Sequence, residues 1–321
     1  METQSCSETQ SCSEYQSHSY GVIGGDMRQV YLTGELEGHV FYHALCREPD
    51  TQICHSNTQS YHSNTQLCQR KPVSFLTSAA SLEELCAKSS CIIGPIPFTR
   101  DGNSLNQSAL DQGISINTIL SCLQPGQWFF AGGIPEPFQT AAAKKGVHAV
   151  DLMENEFLAY FNTIATAEGA ICEAIRKSPI NLHHSSCAIL GYGKCGRALS
   201  AYLKGMFSRQ FIVSIQEDER AQAVLMSDRT GDLKDFEACA QEFDFVFNTI
   251  PSVVITSELL RKMNPSVTII DIASAPGGVD YAEAQKLGIR AFFCPGLPGK
   301  YAPCSSAKAM KKAIEKTIYY F

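Results

Sequence analysis

The clearest chemical pattern in the sequence is a glycine-rich loop, Gly191-Tyr-Gly193-Lys-Cys-Gly196. An apolar run precedes the loop and apolar residues at helical spacing follow it, which is the strand–loop–helix context of a dinucleotide-binding site. In such a loop Gly191 permits a tight turn, Gly193 lets the backbone approach a pyrophosphate, and Gly196 lets helix and strand pack closely. We predict that the cofactor contacts Gly191, Tyr192, Gly193, Lys194, Cys195 and Gly196. A glycine turn in an α/β domain without a ligand is the competing interpretation.

The turn after the next predicted strand, 211–215, carries conflicting signals about the cofactor. It begins about 20 residues past the last glycine, where dinucleotide-binding folds contact the adenosine ribose. After Gln216, an acid at Glu217 could bind the ribose hydroxyls of NAD, whereas Arg220 could bind the 2′-phosphate of NADP. The choice between NAD and NADP therefore stays open. The alternative is an acidic turn that faces solvent and binds no ligand.

Two later apolar runs become polar at their carboxyl ends, where open parallel sheets hold their ligands. The first run ends in Asn248, Thr249 and Ile250, and the second ends in Ser274. We predict that these residues contact the nicotinamide ribose and carboxamide. Turns rich in proline and glycine follow both strands and favour backbone that lies against a flat ring.

Alternation of strand-like and helix-like segments predicts the elements that position these residues. The fold class is α/β, with two Rossmann-like parallel-sheet domains joined by a long helix and followed by a C-terminal helix. The predicted divisions are a disordered repeat-bearing tail at 1–17, an N-terminal α/β domain for substrate or partner at 18–152, a linking helix at 153–178, a Rossmann NAD(P)-binding domain at 179–303 and a C-terminal helix at 304–321.

Composition excludes several classes of partner. The 321 residues carry a net charge of −6 without a basic block, so nucleic acid is an unfavourable partner. No apolar run approaches the roughly 20 residues that cross a bilayer, and the polar N-terminus does not resemble a signal peptide. The 14 cysteines are scattered and never form a CxxC pair, which favours reduced thiols in a cytoplasmic protein.

Two short repeats and one cluster of potential metal ligands have no assigned role. TQSCSE occurs twice in the tail, and HSNTQ occurs at His55–Gln59 and again at His62–Gln66. The cluster comprises Cys54, His55, His62 and Cys68. Because its spacing does not match a zinc site, we interpret it as a polar loop and predict no metal.

Seven motifs, in order along nearly the whole chain, carry a resemblance to a known family. They are Ile23-Gly-Gly-Asp-Met-Arg-Gln29, Gly94-Pro-Ile-Pro97, Asn162-Thr-Ile-Ala-Thr-Ala-Glu-Gly169, Leu190-Gly-Tyr-Gly-Lys-Cys-Gly196, Asn248-Thr-Ile-Pro-Ser252, Asp271-Ile-Ala-Ser-Ala-Pro-Gly-Gly278 and Pro295-Gly-Leu-Pro-Gly299. Together they resemble the A subunits of dipicolinate synthases.

The resemblance implies an activity, a cofactor and a partner. It implies oxidation of a dihydrodipicolinate-type ring, formed from 4-hydroxy-tetrahydrodipicolinate, to dipicolinate, with hydride transfer to NADP, in the mother cell of a sporulating bacterium. The implied partner is a flavoprotein-like B subunit, and a homodimer is compatible with such folds. Members of the family often carry Arg where this chain has Gln216, so NAD is possible as well.

A dicarboxylate substrate needs cationic or N–H partners, and several residues could supply them. Arg28 is the first candidate for a carboxylate clamp, and Asp26 could orient it or accept the proton, which makes this pair the predicted catalytic residues. The remaining predicted substrate-binding residues are Arg100, Ser274 and Gly299. A surface ion pair at a helix start is the alternative for Asp26 and Arg28.

Two other functions share parts of this pattern. A dehydrogenase of the shikimate or methylene-tetrahydrofolate type would have the same Asn-Thr-Ile-Pro strand end, and it would turn over those substrates. A non-enzymatic protein that senses dinucleotide and controls a partner would bind the cofactor tightly without turnover.

Overall fold

The computed structural model of the chain describes residues 18–45 and 75–320. Tertiary contacts divide the chain into two compact units, and the divisions fall after Gly24, Glu35 and Val150. Each unit is built on a six-stranded sheet whose paired neighbours run parallel. The predicted fold class, with two Rossmann-like sheets and a long helix after the first, is confirmed.

The first sheet has the strand order β3-β2-β1-β4-β5-β6. Its strands are β1 (Ser19–Ile23), β2 (His39–His43), β3 (Phe75–Ser78), β4 (Cys91–Ile93), β5 (Trp128–Ala131) and β6 (His148–Asp151). The helices in this part of the sequence are α1 (Met27–Glu35), α2 (Leu82–Lys88), α3 (Ile116–Cys122) and α4 (Glu136–Lys144). The core of the unit includes three mutually packed rings, Phe98, Phe129 and Phe138, with centroids 5.1–5.2 Å apart.

The second sheet has the order β12-β11-β10-β7-β8-β9. Its strands are β7 (Ser186–Leu190), β8 (Arg209–Val213), β9 (Arg229–Gly231), β10 (Phe245–Asn248), β11 (Thr268–Asp271) and β12 (Arg290–Phe293). Its helices are α5 (Glu156–Lys177), α6 (Lys194–Gly205), α7 (Glu217–Ala223), α8 (Leu233–Ala238), α9 (Ser257–Lys262), α10 (Tyr281–Lys286), α11 (Leu297–Tyr301) and α12 (Pro303–Tyr320). Every residue of β10 and β11 is buried because apolar clusters cover both faces of the sheet.

One segment differs from the predicted domain boundaries. Gly25–Glu35, which contains α1, belongs to the second unit rather than to a continuous domain at 18–152. The reason is that α1 packs along α12, where Leu32 is fully buried and Lys308 lies 3.9 Å from Glu35. The sequence places α1 directly after β1 and carries no sign of this distant contact.

The long helix α5 begins and ends within the range predicted for it. Asn155 caps its N-terminus, where the side-chain oxygen accepts a hydrogen bond from the backbone N–H of Leu158 at 3.0 Å. A short 3-10 turn, Leu152–Glu154, precedes the helix. The predicted start at residue 153 is therefore a turn rather than the first turn of an α-helix.

None of the helices within 18–45 and 75–320 combines the length and apolar character that a membrane span requires. The tail at 1–17 and the Cys54–Cys68 cluster lie outside the described residues, so the predictions made for them stay predictions.

Candidate functional site

The glycine-rich loop joins β7 to α6 at the carboxyl edge of the second sheet. Gly191 has a φ of +94°, which side chains rarely tolerate. A Cβ on Gly196 would collide with the carbonyl oxygen of Gly191, so helix and strand approach closely here. In contrast, a Cβ on Gly193 would meet nothing within 4 Å. The open space at Gly193, beside the free N–H groups of α6, fits an approaching pyrophosphate.

Two side chains of the loop are packed or paired within the protein. Tyr192 is only 4% exposed and packs in the core, so its backbone alone can meet a ligand. Lys194 lies 3.3 Å from the carboxylate of Glu156 and 5.0 Å from the ring centre of Tyr160, both on α5. Burial raises the pKa of the Cys195 thiol, which keeps it protonated at neutral pH. The backbone of the loop is thus the part suited to bind phosphates.

The turn after β8 is organised by Ser214, which the sequence did not single out. The Ser214 hydroxyl donates to Glu219 Oε2 at 2.6 Å and accepts from the backbone N–H of Gln216 at 3.1 Å. Arg220 Nη1 donates to the Ser214 carbonyl at 2.7 Å. Gln216 and Glu217 are both exposed at this turn. One nitrogen of the Arg220 guanidinium therefore braces the turn, and the exposed Glu217 lies beside it.

Asn248, whose predicted contact with the nicotinamide stays a prediction, has its side chain bonded within the strand end. Asn248 is fully buried, and its Nδ2 donates to the Ile250 carbonyl at 3.0 Å and to Asp271 Oδ1 at 2.9 Å. Its Oδ1 accepts from the Ile250 N–H at 3.2 Å. The Thr249 hydroxyl donates to the Leu190 carbonyl at 2.9 Å. These side chains shape the strand end, and a sequence cannot distinguish that role from ligand contact.

Asp271 at the end of β11 is the residue that sequence reasoning missed. It is fully buried, and its carboxylate accepts hydrogen bonds from Asn248 Nδ2 (2.9 Å), the Ala273 N–H (3.1 Å), the Gly278 N–H (2.6 Å) and the Tyr281 hydroxyl (2.6 Å). Burial, reinforced by the bond to this carboxylate, raises the pKa of Tyr281. An acid at the end of an otherwise apolar strand was the signal that could have revealed it.

Ser274 lies in the loop that Asp271 holds. Its side chain is exposed, and its carbonyl accepts a hydrogen bond from the Gly277 N–H at 2.9 Å. The serine hydroxyl is therefore accessible to a ligand at this strand end.

Asp26 and Arg28 form a pair in which the carboxylate, not the guanidinium, is the accessible member. Arg28 is only 4% exposed, and its Nε and Nη2 donate to the two carboxylate oxygens of Asp26 at 2.9 and 2.7 Å. The Asp26 side chain is 40% exposed, and a Cβ on Gly299 would collide with it. The Nε and Nη2 atoms of Arg28 thus hold Asp26, and the predicted role of Arg28 as a carboxylate clamp stays a prediction.

A buried carboxylate, Glu173, holds the α11 turn that carries Gly299. The Glu173 side chain is 3% exposed; it accepts hydrogen bonds from Lys300 Nζ and, at 2.5 Å, from the Tyr301 hydroxyl, while Lys177 lies 3.5 Å away. Burial alone would raise the pKa of Glu173, but the bonds from Lys300 and Tyr301 and the lysine charges outweigh it and lower the pKa to about 2. The ion pair thus fastens α11 to α5.

The lowered pKa makes the stabilisation by Glu173 dependent on pH. Its pKa falls from 4.5 to about 2 on folding, which stabilises the protein by about 3 kcal/mol above pH 4.5. This contribution is lost as the pH falls from 4.5 towards 2.

We expect Glu173→Gln to lower the free energy of unfolding, measured by denaturant titration, at pH 6. At pH 3 the same change should lower the free energy of unfolding much less. Glu237→Gln, which breaks an exposed ion pair with Lys262, should change the free energy of unfolding little at either pH. A Glu173→Gln effect independent of pH would contradict this account.

The remaining predicted residue, Arg100, lies exposed in a loop of the first unit, so its predicted role as a carboxylate clamp stays a prediction. Within the part of the chain that the structure describes, no three His, Cys, Asp or Glu side chains come together as a metal site.

Comparison with solved structures shows where this fold occurs. The chain matches a crystal structure of the A subunit of dipicolinate synthase from Bacillus halodurans with a TM-score of 0.74, at 23% identity, over 94% of this chain and 97% of that chain. It matches a transhydrogenase from Sinorhizobium meliloti with a TM-score of 0.58, at 14% identity, over 76% of this chain and 77% of that chain. At these identities the matches establish the shared fold.

Comparison of sequences identifies the family. Residues 19–153 match the family described as the N-terminal domain of the dipicolinate synthase A subunit. The A subunit of dipicolinate synthase from Bacillus subtilis (strain 168) is 30% identical over 244 residues, which cover 71% of this chain and 81% of that protein. With the glycine loop, the Asp26–Arg28 pair and the ordered strand ends in place, the chain belongs to the family of dipicolinate synthase A subunits.

Proposed function

We propose that this chain oxidises a dihydrodipicolinate-type ring to dipicolinate and transfers the hydride to a nicotinamide dinucleotide. The observation that carries the proposal is the loop at Gly191–Gly196, whose backbone is open at Gly193, in a chain of this family. The ring loses a hydride and a proton and becomes aromatic, so the protein mainly has to hold it in place. When bound, the cofactor supplies the hydride acceptor at C4 of its nicotinamide.

In this proposal Asp26 accepts the proton and Arg28 keeps the Asp26 carboxylate in position. The support is that Asp26 is the accessible member of the pair, while Arg28 holds both carboxylate oxygens from the buried side. The exposed Ser274 hydroxyl and the backbone at Gly299 are proposed substrate contacts, and Arg100 is retained as a further candidate for a substrate carboxylate. This assignment gives Arg28 a positioning role instead of the clamp inferred from sequence.

We further propose that the chain prefers NAD to NADP, although the resemblance implied NADP. Exposed carboxylates at Glu217 and Asp218 stand at the turn after β8, and Arg220 is bonded to Ser214. Like charges repel, so this turn disfavours the added 2′-phosphate of NADP.

The change Gln216→Arg tests this preference. A guanidinium at the turn should pair with the 2′-phosphate, and we expect it to lower the Kd of NADP about tenfold with little effect on NAD. Gln285→Arg, on an exposed position of α10, adds the same charge elsewhere and should leave both constants unchanged. Tighter NADP than NAD binding by the unaltered chain would contradict the proposed preference.

The proposal includes a partner and a setting. The Bacillus subtilis relative is named as the A subunit of a synthase, and this name supports the existence of a second subunit. We propose that the partner is the flavoprotein-like B subunit, during spore formation in the mother cell. A homodimer stays a prediction.

Substrate competition tests the function against its alternatives. The purified chain, with and without a B subunit, is supplied with freshly made 4-hydroxy-tetrahydrodipicolinate, with shikimate or with methylene-tetrahydrofolate, and cofactor reduction is followed in the near ultraviolet. We expect reduction with the first substrate only. Turnover of either of the others would favour that enzyme class, and tight dinucleotide binding without any turnover would favour a sensing protein.

A further inference from the structure

Asp271 lies on the side of the second sheet that faces the nicotinamide half of a dinucleotide. The strand order reverses between β7 and β10, and the glycine loop follows β7. In such sheets the adenosine extends over the strand after the glycine loop, here β8, and the nicotinamide extends the other way. The nicotinamide ring therefore belongs over the carboxyl ends of β10 and β11, and Asp271 is the last residue of β11.

The Asp271 side chain carries a negative charge there. Both carboxylate oxygens accept two hydrogen bonds each, from Asn248 and Ala273 on one oxygen and from Gly278 and Tyr281 on the other. Four donors around one side chain match an ionised carboxylate, which only accepts hydrogen bonds.

All four donors are neutral, which distinguishes Asp271 from the other site carboxylates. Asp26 is paired with Arg28, and Glu173 is paired with Lys300. For Asp271, no Lys, Arg or His nitrogen lies within 4.0 Å among residues 18–45 and 75–320. Its charge is stabilised by oriented dipoles in a fully buried position, where water does not screen it.

We propose that Asp271 sets the oxidation-state preference of the site, so that it binds the oxidised nicotinamide cofactor in preference to the reduced one. The oxidised ring carries a positive charge and the reduced ring carries none, so a fixed anion at this end of the sheet would favour the oxidised form. This inference rests on the proposed function, because it assumes a nicotinamide dinucleotide at the glycine loop. Its consequence is that the reduced cofactor is released readily after ring oxidation.

Equilibrium titration of the full chain with NAD⁺ and NADH tests the proposal through the ratio of the two dissociation constants. In the unaltered chain we expect NADH to bind no more tightly than NAD⁺. Asp271→Asn should lower the Kd of NADH relative to the Kd of NAD⁺ by about tenfold. Asp244→Asn removes a carboxylate at the opposite edge of the same sheet, where Asp244 accepts from the Ser186 N–H at 2.9 Å, and it should leave the ratio unchanged. A purely structural role for Asp271 would weaken both forms equally.

A second variant covers the case in which Asp271→Asn does not fold. Tyr281→Phe removes one neutral donor and keeps the charge. The Kd of NADH divided by the Kd of NAD⁺ should therefore be unchanged or higher. NADH binding tighter than NAD⁺ in the unaltered chain would overturn the proposal, as would an unchanged ratio in Asp271→Asn. If neither form binds the unaltered chain, the proposed function fails as well, which separates the two failures.

Discussion

Replacing Gly193 with alanine should weaken dinucleotide binding by at least about 100-fold and leave the protein as stable as before. A Cβ at this position meets no protein atom within 4 Å, and the backbone φ of −70° suits alanine. The added methyl group would instead occupy the space through which the pyrophosphate reaches the N–H groups of α6. Titration with cofactor and thermal unfolding of the same sample measure the two effects separately.

Two other glycines provide the controls for this result. Gly205→Ala, at the far end of α6, also meets nothing within 4 Å and should change neither binding nor stability. Gly196→Ala should lower the melting temperature, because its Cβ would collide with the Gly191 carbonyl. Normal cofactor affinity in Gly193→Ala would show that the loop does not hold a pyrophosphate.

Replacing Asp26 with asparagine should lower kcat by about 100-fold while the Kd of the cofactor stays within about threefold. Asparagine can still accept the hydrogen bond from the Arg28 backbone N–H, which Asp26 Oδ1 accepts at 2.9 Å, but it cannot take up a proton. The separation of kcat from cofactor affinity is the informative readout, because a general loss of structure would affect both.

The buried guanidinium complicates this test and suggests a companion variant. Asp26→Asn removes the carboxylate to which the buried Arg28 guanidinium donates, which destabilises the protein. The double variant Asp26→Asn/Arg28→Met also removes the guanidinium, so it should regain stability without regaining turnover. Asp280→Asn, at the N-cap of α10, should retain full kcat because asparagine caps helices equally well. Full turnover in Asp26→Asn would remove Asp26 from the chemistry.

The fold class and the strand–loop–helix at Gly191–Gly196 could be predicted from the sequence because both depend on local patterns. Alternating apolar segments give the two parallel sheets, and the glycine spacing determines the conformation of the loop at Gly191–Gly196. Each strand–helix–strand unit, including the one that holds the glycine loop, is complete within about thirty residues, so no distant contact is needed to recognise it.

The roles of individual polar residues could not be predicted in the same way. The side chains of Arg28 and Asn248 are of types that bind ligands, yet each is buried against a partner that only the folded chain supplies. The assignment of α1 to the second unit and the ion pair between Glu173 and Lys300 also depend on contacts between segments far apart in sequence. Burial decides these roles, and burial follows from tertiary packing.

The most direct test of the account is the stoichiometry of one reaction. The full chain, together with a B subunit, is mixed with NAD⁺ and freshly made 4-hydroxy-tetrahydrodipicolinate, and reduced cofactor and dipicolinate are quantified from the same samples over time. We expect equal amounts of the two products, and much smaller amounts of both with the Gly193→Ala variant when the cofactor concentration is near the Kd of the unaltered chain. Dipicolinate formed without reduced cofactor, or bound cofactor that is never reduced, would contradict the account.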